Sequence, residues 1–156
     1  MIAAASAPLI AIHALAASIW VGGLVAIFIV TRAASSTLQP AQRVEFFRAL
    51  GRSYGIVGTL ALLVALATGA ILLDDRPWDG LMVAAAIVAG ALLIATAAGM
   101  AQARAMTRLR RRAVAQVDGE PLDPRVRKGA IVATILRACI GALTLALVVL
   151  GAALVD

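Results

Sequence analysis

The sequence predicts an all-α polytopic membrane protein, an antiparallel four-transmembrane-helix bundle with both termini outside. Three observations predict it. The chain is 63% hydrophobic and 14% charged, with a mean hydropathy of +1.00, a balance ordinary soluble domains do not have. Its apolar residues gather in four stretches, 8–30, 55–73, 81–101 and 129–155. Each holds about 20 residues or more, the length a helix needs to cross about 30 Å of hydrocarbon. Its basic residues gather in two of the connections. With 156 residues, one domain is expected over 1–156, with helices at about 8–31, 41–73, 80–113 and 127–155.

The four runs show no polar–apolar alternation. A membrane segment must satisfy its own backbone hydrogen bonds, so such runs read as helices and not barrel strands. The first run has no charge before Arg32 and is longer than the apolar core of a signal peptide, so it is expected to remain as the first span. The second helix is expected to start in the cytoplasm near residue 41, opened by Pro40, with Val44, Phe47, Leu50 and Tyr54 on one side and Arg43, Glu45 and Arg52 mostly elsewhere. The third is expected to extend inward through RAMTRLRRRAVAQ, until DGEPLDP at 118–124 breaks it. Small residues at four-residue spacing mark each span: Ala14, Ser18 and Gly22; Gly51, Gly55 and Thr59; Ala91, Ala95, Gly99 and Ala103; Ala138, Ala142 and Ala146. Such stripes let backbones approach where lipid gives no hydrophobic drive.

Charge sets the orientation. Twelve basic residues lie in the first and third connections: Arg32, Arg43, Arg48 and Arg52, then Arg104, Arg108, Arg110, Arg111, Arg112, Arg125, Arg127 and Lys128. The second connection, DDRPWDG, has one arginine against three aspartates. Positive loops stay in the cytoplasm, so both longer loops face in. The same charges explain the net +6 without nucleic acid: the run 108–112 lacks the aromatic residues that stack bases and reads as an anchor to anionic lipids.

Two ionisable groups fall well inside the spans, and such groups are costly enough to be functional candidates. His13, the only histidine, lies about 8 Å beyond Pro8 by helical rise. It reads either as a neutral ring bonded to a carbonyl or to loop water, or as a metal ligand. Trp20 lies about 10 Å deeper on the same side, too deep for an interfacial belt, and is expected to pack inside. Met82 opens the third helix at the depth of His13, so a His/Met site for Cu(I) at the outer face is one arrangement the sequence allows. Arg137 is expected to serve a structural role, snorkelling inward or binding a carbonyl or anion. The eight carboxylates lie outside the spans or at their ends, unlike a proton-coupled carrier. No Ser-His-Asp set assembles at one depth, so an enzyme is not expected. The lone Cys139 excludes an intrachain disulfide and reads as a small buried apolar residue.

The stretch HALAASIWVGGL at 13–24 resembles the first-helix signature of the copper resistance D (CopD-like) family of membrane domains. His13, Trp20, Gly22 and Gly23 match its order of histidine, tryptophan seven residues on, and a glycine pair. In LATGAILL at 66–73, Thr68 and Gly69 look like the family's Thr-Gly before its outer loop. The likeness covers about residues 8–75, and the remainder agrees only in hydropathy. A haem-associated protoporphyrinogen oxidase family has a similar first helix, but also a partnering intramembrane lysine; the only lysine here is Lys128.

The CopD-like resemblance implies copper bound or passed at the outer face of the bacterial cytoplasmic membrane. His13 would be the principal ligand and Met82 the second, with Trp20, Gly22, Gly23, Thr68 and Gly69 shaping the helix interface. Two alternatives stay open: an accessory or assembly subunit of a larger membrane complex (or a homo-oligomer) with no ligand of its own, and a haem-binding protein using His13 as axial ligand.

Overall fold

A computed structural model describes the backbone of residues 2–115 and 124–155 and the side chains of 7–39, 42, 43, 45–105, 129 and 131–154. The side chains of the basic run at 108–112, the turn at 118–123 and the side chain of Val44 lie outside the described residues. The described residues form helices and no strand. Four helices follow in order: α1 (Ile2–Thr37), α2 (Pro40–Leu72), α3 (Gly80–Ala115) and α4 (Pro124–Val155). Each contains a segment long and apolar enough to cross a membrane: Ala7–Thr37, Glu45–Leu72, Gly80–Ala105 and Ile131–Leu154. The chain divides into two compact units, Met1–Pro77 and Trp78–Asp156. Each is a helical hairpin.

In the first hairpin, α1 overruns its apolar stretch at both ends. Pro8 sits inside it, and the missing amide costs only one hydrogen bond near the start of the helix. At the far end the hydroxyls of Ser35 and Thr37 donate to Arg32 O (2.7 Å) and Ala33 O (2.8 Å), so the last turns satisfy themselves as the chain leaves the apolar span. Pro40 opens α2 at its first turn, as its fixed φ favours. The two-residue turn between the helices is closed by Arg43. Its Nη2 donates to Ser35 O (2.6 Å) and Leu38 O (3.1 Å), placing a cation where α1 ends in unsatisfied carbonyls and the negative end of its dipole.

The helix–helix seam follows a heptad. In α1 the more buried positions are Leu9, His13, Ala16, Trp20, Gly23, Ile27, Val30 and Ala34, spaced alternately by four and three. In α2 they are Phe47, Leu50, Tyr54, Gly58, Ala61, Ala65, Thr68 and Leu72, with Leu62 almost fully buried beside them. Glu45, Phe46, Arg48 and Arg52 point outward. This 3.5-residue period is the seam of a left-handed helical pair. Gly23 of α1 and Gly58 of α2 make room for Tyr54. A Cβ on Gly23 would overlap the ring of Tyr54, and one on Gly58 would lie 3.0 Å from Tyr54 Cζ. The ring is therefore clasped between two glycines, and its hydroxyl donates to Trp20 O across the seam (3.1 Å).

The expected small-residue stripe of α1 takes no part in this seam. Ala14, Ser18 and Gly22 are exposed, as is Gly51 of the α2 stripe. At 100° per residue, one step along the chain turns a small residue from the partner helix to the outside.

The second hairpin repeats the pattern. Asp79 caps α3, its Oδ1 accepting from the Met82 amide at 2.8 Å. The seam holds Ala85, Val88, Leu92, Ala95, Gly99 and Gln102 of α3. Opposite them are Gly129, Ala133, Leu136, Ile140, Leu143, Leu147, Leu150 and Leu154 of α4. Leu92 is fully buried, Gly99 faces Leu136 and Ile140, and Gln102 Nε2 donates to Gly129 O (2.9 Å). Large apolar side chains such as Phe28, Ile56, Ile94 and Leu145 cover the outer faces of the hairpins, Ile94 being 73% exposed. That surface suits hydrocarbon. Cys139, expected to be buried, is exposed on α4, since it falls between the seam positions Leu136 and Ile140.

These contacts are tested by denaturant unfolding in detergent micelles. Gly23→Ala is expected to cost about 1–3 kcal/mol by overpacking, and Tyr54→Phe about 1 kcal/mol for the lost hydroxyl bond. The double change Gly23→Ala with Tyr54→Ala is expected to cost less than the sum of its single changes, because the ring that clashes is gone. At the turn, Arg43→Ala is expected to cost about 1.5–3 kcal/mol. Arg48→Ala, on an exposed side chain, is expected to stay within about 0.5 kcal/mol.

Candidate functional site

His13 lies six residues inside the apolar segment that begins at Ala7, about 9 Å along the helix. It occupies a seam position of α1, so its ring enters the space between α1 and α2. The α2 residues that meet it come from the last turns of that helix. Nδ1 of His13 lies 3.0 Å from Ala65 O and 3.1 Å from Thr68 Oγ1. A Cβ on Gly69 would stand 3.1 Å from Cε1 of the ring, tighter than ordinary contact. The glycine therefore leaves room for the imidazole edge against the α2 backbone. Thr68 is buried, and its hydroxyl also reaches Val64 O (2.7 Å) and Ala65 O (3.1 Å), the usual accommodation of threonine in a membrane helix.

The two stretches that carry the family resemblance thus meet. His13 of the first is against Thr68 and Gly69 of the second. One and two turns deeper, Ala16 and Trp20 are buried in the same seam, Trp20 being 6% exposed. Gly23 receives Tyr54. Gly22 stands apart: it is exposed, and nothing lies within 4 Å of where its Cβ would be. The glycine pair therefore divides, with one member facing α2 and the other facing out.

Met82 belongs to the other hairpin, where its backbone takes part in the α3 cap and its side chain is half-buried. Arg137 lies six residues inside the α4 segment that starts at Ile131. It is exposed, next to the seam residue Leu136 but not in the seam. Its long stem lets the guanidinium reach toward a headgroup region. Asp74 and Asp75, after α2, are exposed. No group of three or more His, Cys, Asp or Glu side chains is placed to hold a metal among the described residues. What the hairpin offers is one oriented imidazole in an apolar, water-poor seam.

Two contributors were not visible in the residue types. The carbonyl of Ala65 is backbone, and alanine gives no sign of it. Tyr54 carries a signal only by its spacing from Phe47 and Leu50. No family model, no curated protein and no solved structure matches the chain.

Proposed function

We propose that this chain is a multi-pass protein of the bacterial cytoplasmic membrane that handles copper in the CopD-like manner. His13 holds the ion from the outer side. The observation that carries the reading is the anchoring of the only histidine: one ring nitrogen is tied to Ala65 O and Thr68 Oγ1, and Nε2 has no hydrogen-bond partner among the described residues. Metal-binding histidines commonly have their second nitrogen held in this way, which fixes ring orientation. The orientation rests on the arginines. With Arg32, Arg43, Arg48 and Arg52 held in the cytoplasm, the hairpin end bearing His13 lies outside.

The donor set sets the kind of binding. A single imidazole fits copper as cargo that exchanges ligands on its way. It does not fit a resident four-coordinate ion, whose site would need more protein donors. The same observation favours one second reading. Haem brings four equatorial nitrogens of its own and asks the protein for an axial ligand, which Nε2 of His13 can be.

Gently purified wild type and His13→Ala, compared by metal analysis and absorption spectrum, separate these readings. With Cu(I) supplied during purification, the expected result is copper retained above background by wild type and lost in His13→Ala. A Soret band lost with the histidine replaces copper by haem. Neither signal in either sample removes both. His13 is then a packing residue, and a stoichiometric partner in the same preparation identifies an accessory subunit. For orientation, reporters fused to the N-terminus and to the connection at 38–39 are expected to report opposite sides, with the N-terminus outside.

A further inference from the structure

We propose that Thr68 is a positioning residue that, together with the Ala65 carbonyl, sets the tautomer of His13: the two oxygens keep the ring proton on Nδ1 and leave Nε2 as the bare nitrogen. The consequence for metal binding rests on the function proposed above; the tautomer itself does not.

The hydrogens around His13 Nδ1 decide the tautomer. Two oxygens lie within hydrogen-bond distance of it, Ala65 O at 3.0 Å and Thr68 Oγ1 at 3.1 Å. A carbonyl oxygen only accepts, so the Ala65 contact requires the hydrogen to be on Nδ1. A hydroxyl can act either way, but this one has a single hydrogen. Val64 O at 2.7 Å and Ala65 O at 3.1 Å both take it and cannot give one back. With its hydrogen committed to its own helix, Thr68 Oγ1 meets Nδ1 as an acceptor. Both oxygens then call for the same proton.

Ala65 and Thr68 are each buried, at 8% exposure, so the two acceptors face the half-buried ring from inside the seam. In an apolar seam a donor deprived of its acceptor bears the full cost of desolvation. In water, neutral imidazole prefers its proton on the other nitrogen, Nε2. The α2 carbonyl and hydroxyl reverse that preference. Gly69 completes the device: a Cβ there would stand 3.1 Å from Cε1 of the ring, and the ring would have to draw back from α2 by a few tenths of an ångström. The threonine supplies the acceptor and the glycine supplies the space, which gives the Thr-Gly pair one physical purpose. Nε2 then has its lone pair available before any metal arrives, and no proton need leave it on binding.

The chain has one histidine, so ¹⁵N-histidine labelling of the full protein in micelles gives one pair of ring nitrogens. Nε2 couples to both ring carbon-bound protons and Nδ1 to one, which assigns them. The expected wild-type spectrum has the proton on Nδ1 and a bare Nε2. Thr68→Val is expected to move population toward the form protonated on Nε2, and Thr68→Ser, which keeps the hydroxyl, to restore the wild-type pattern. Added Cu(I) is expected to shift Nε2 and leave Nδ1 protonated. A wild-type ring protonated on Nε2 overturns the proposal, and so does a folded Thr68→Val ring identical to wild type. A ring protonated on Nδ1 with a Thr68→Val response, but indifferent to Cu(I), upholds the positioning role and removes the metal reading instead.

Discussion

An apolar helix in hydrocarbon has one polar resource to offer its neighbour, the second lone pair of a backbone carbonyl. Apart from the Thr68 hydroxyl that meets His13, the cross-helix polar contacts described here draw on backbone carbonyls. Tyr54 donates to the carbonyl of Trp20 and His13 to that of Ala65; Arg43 donates to Ser35 and Leu38, and Gln102 to Gly129. A side chain of one helix (or of the turn's far side) reaches main chain of the other. Within a helix such a bond leaves the carbonyl its own amide partner, as at Trp20, Ala65 and Gly129; at Ser35 and Leu38 the arginine instead satisfies carbonyls that the end of α1 leaves open. Such bonds also specify register. A tyrosine clasped by Gly23 and Gly58 with its hydroxyl on Trp20 O cannot slide by a turn without losing both the space and the acceptor.

That register is what brings His13 to Thr68 and Gly69. The arginine-closed turn and the tyrosine clasp fix the hairpin at two levels, and the histidine meets α2 at a third, farthest from the turn. A site assembled this way does not depend on the helices being polar. It depends on where the heptad seam places one ring and whether the facing residue is small. Gly69 is small and Thr68, one position before it, carries the hydroxyl; the order of the two matters because a single step along α2 changes the face.

The legibility of this protein in its sequence follows the same physics. Four spans and the uneven arginines are readable because they are properties of composition over about 20 residues. The seams are not, because nearly every residue in a span is apolar and burial leaves no contrast. The α1 stripe through Ala14, Ser18 and Gly22 had the right spacing and the wrong face, while Ala16, Trp20 and Gly23 form the seam. His13, Thr68 and Gly69 were legible as candidates through a resemblance, but their meeting was not, since it hangs on the turn length and on Tyr54. Ala65 enters through an atom every residue has.

The two-residue turn at Leu38 and Gln39 bears on how the polar ring enters the bilayer at all. A first helix threaded in alone would carry an unsatisfied imidazole into hydrocarbon and would have to wait there for its partner. A hairpin that closes at the membrane surface meets the cost differently. With Arg43 gripping the end of α1, α2 is held beside α1 from its first turn, and the acceptors of His13, Ala65 O and Thr68 Oγ1, lie on the same helix that the grip anchors. The polar groups of His13 and Tyr54 thus find their partners inside one hairpin, and a short surface turn is what keeps ring and acceptor in the same unit.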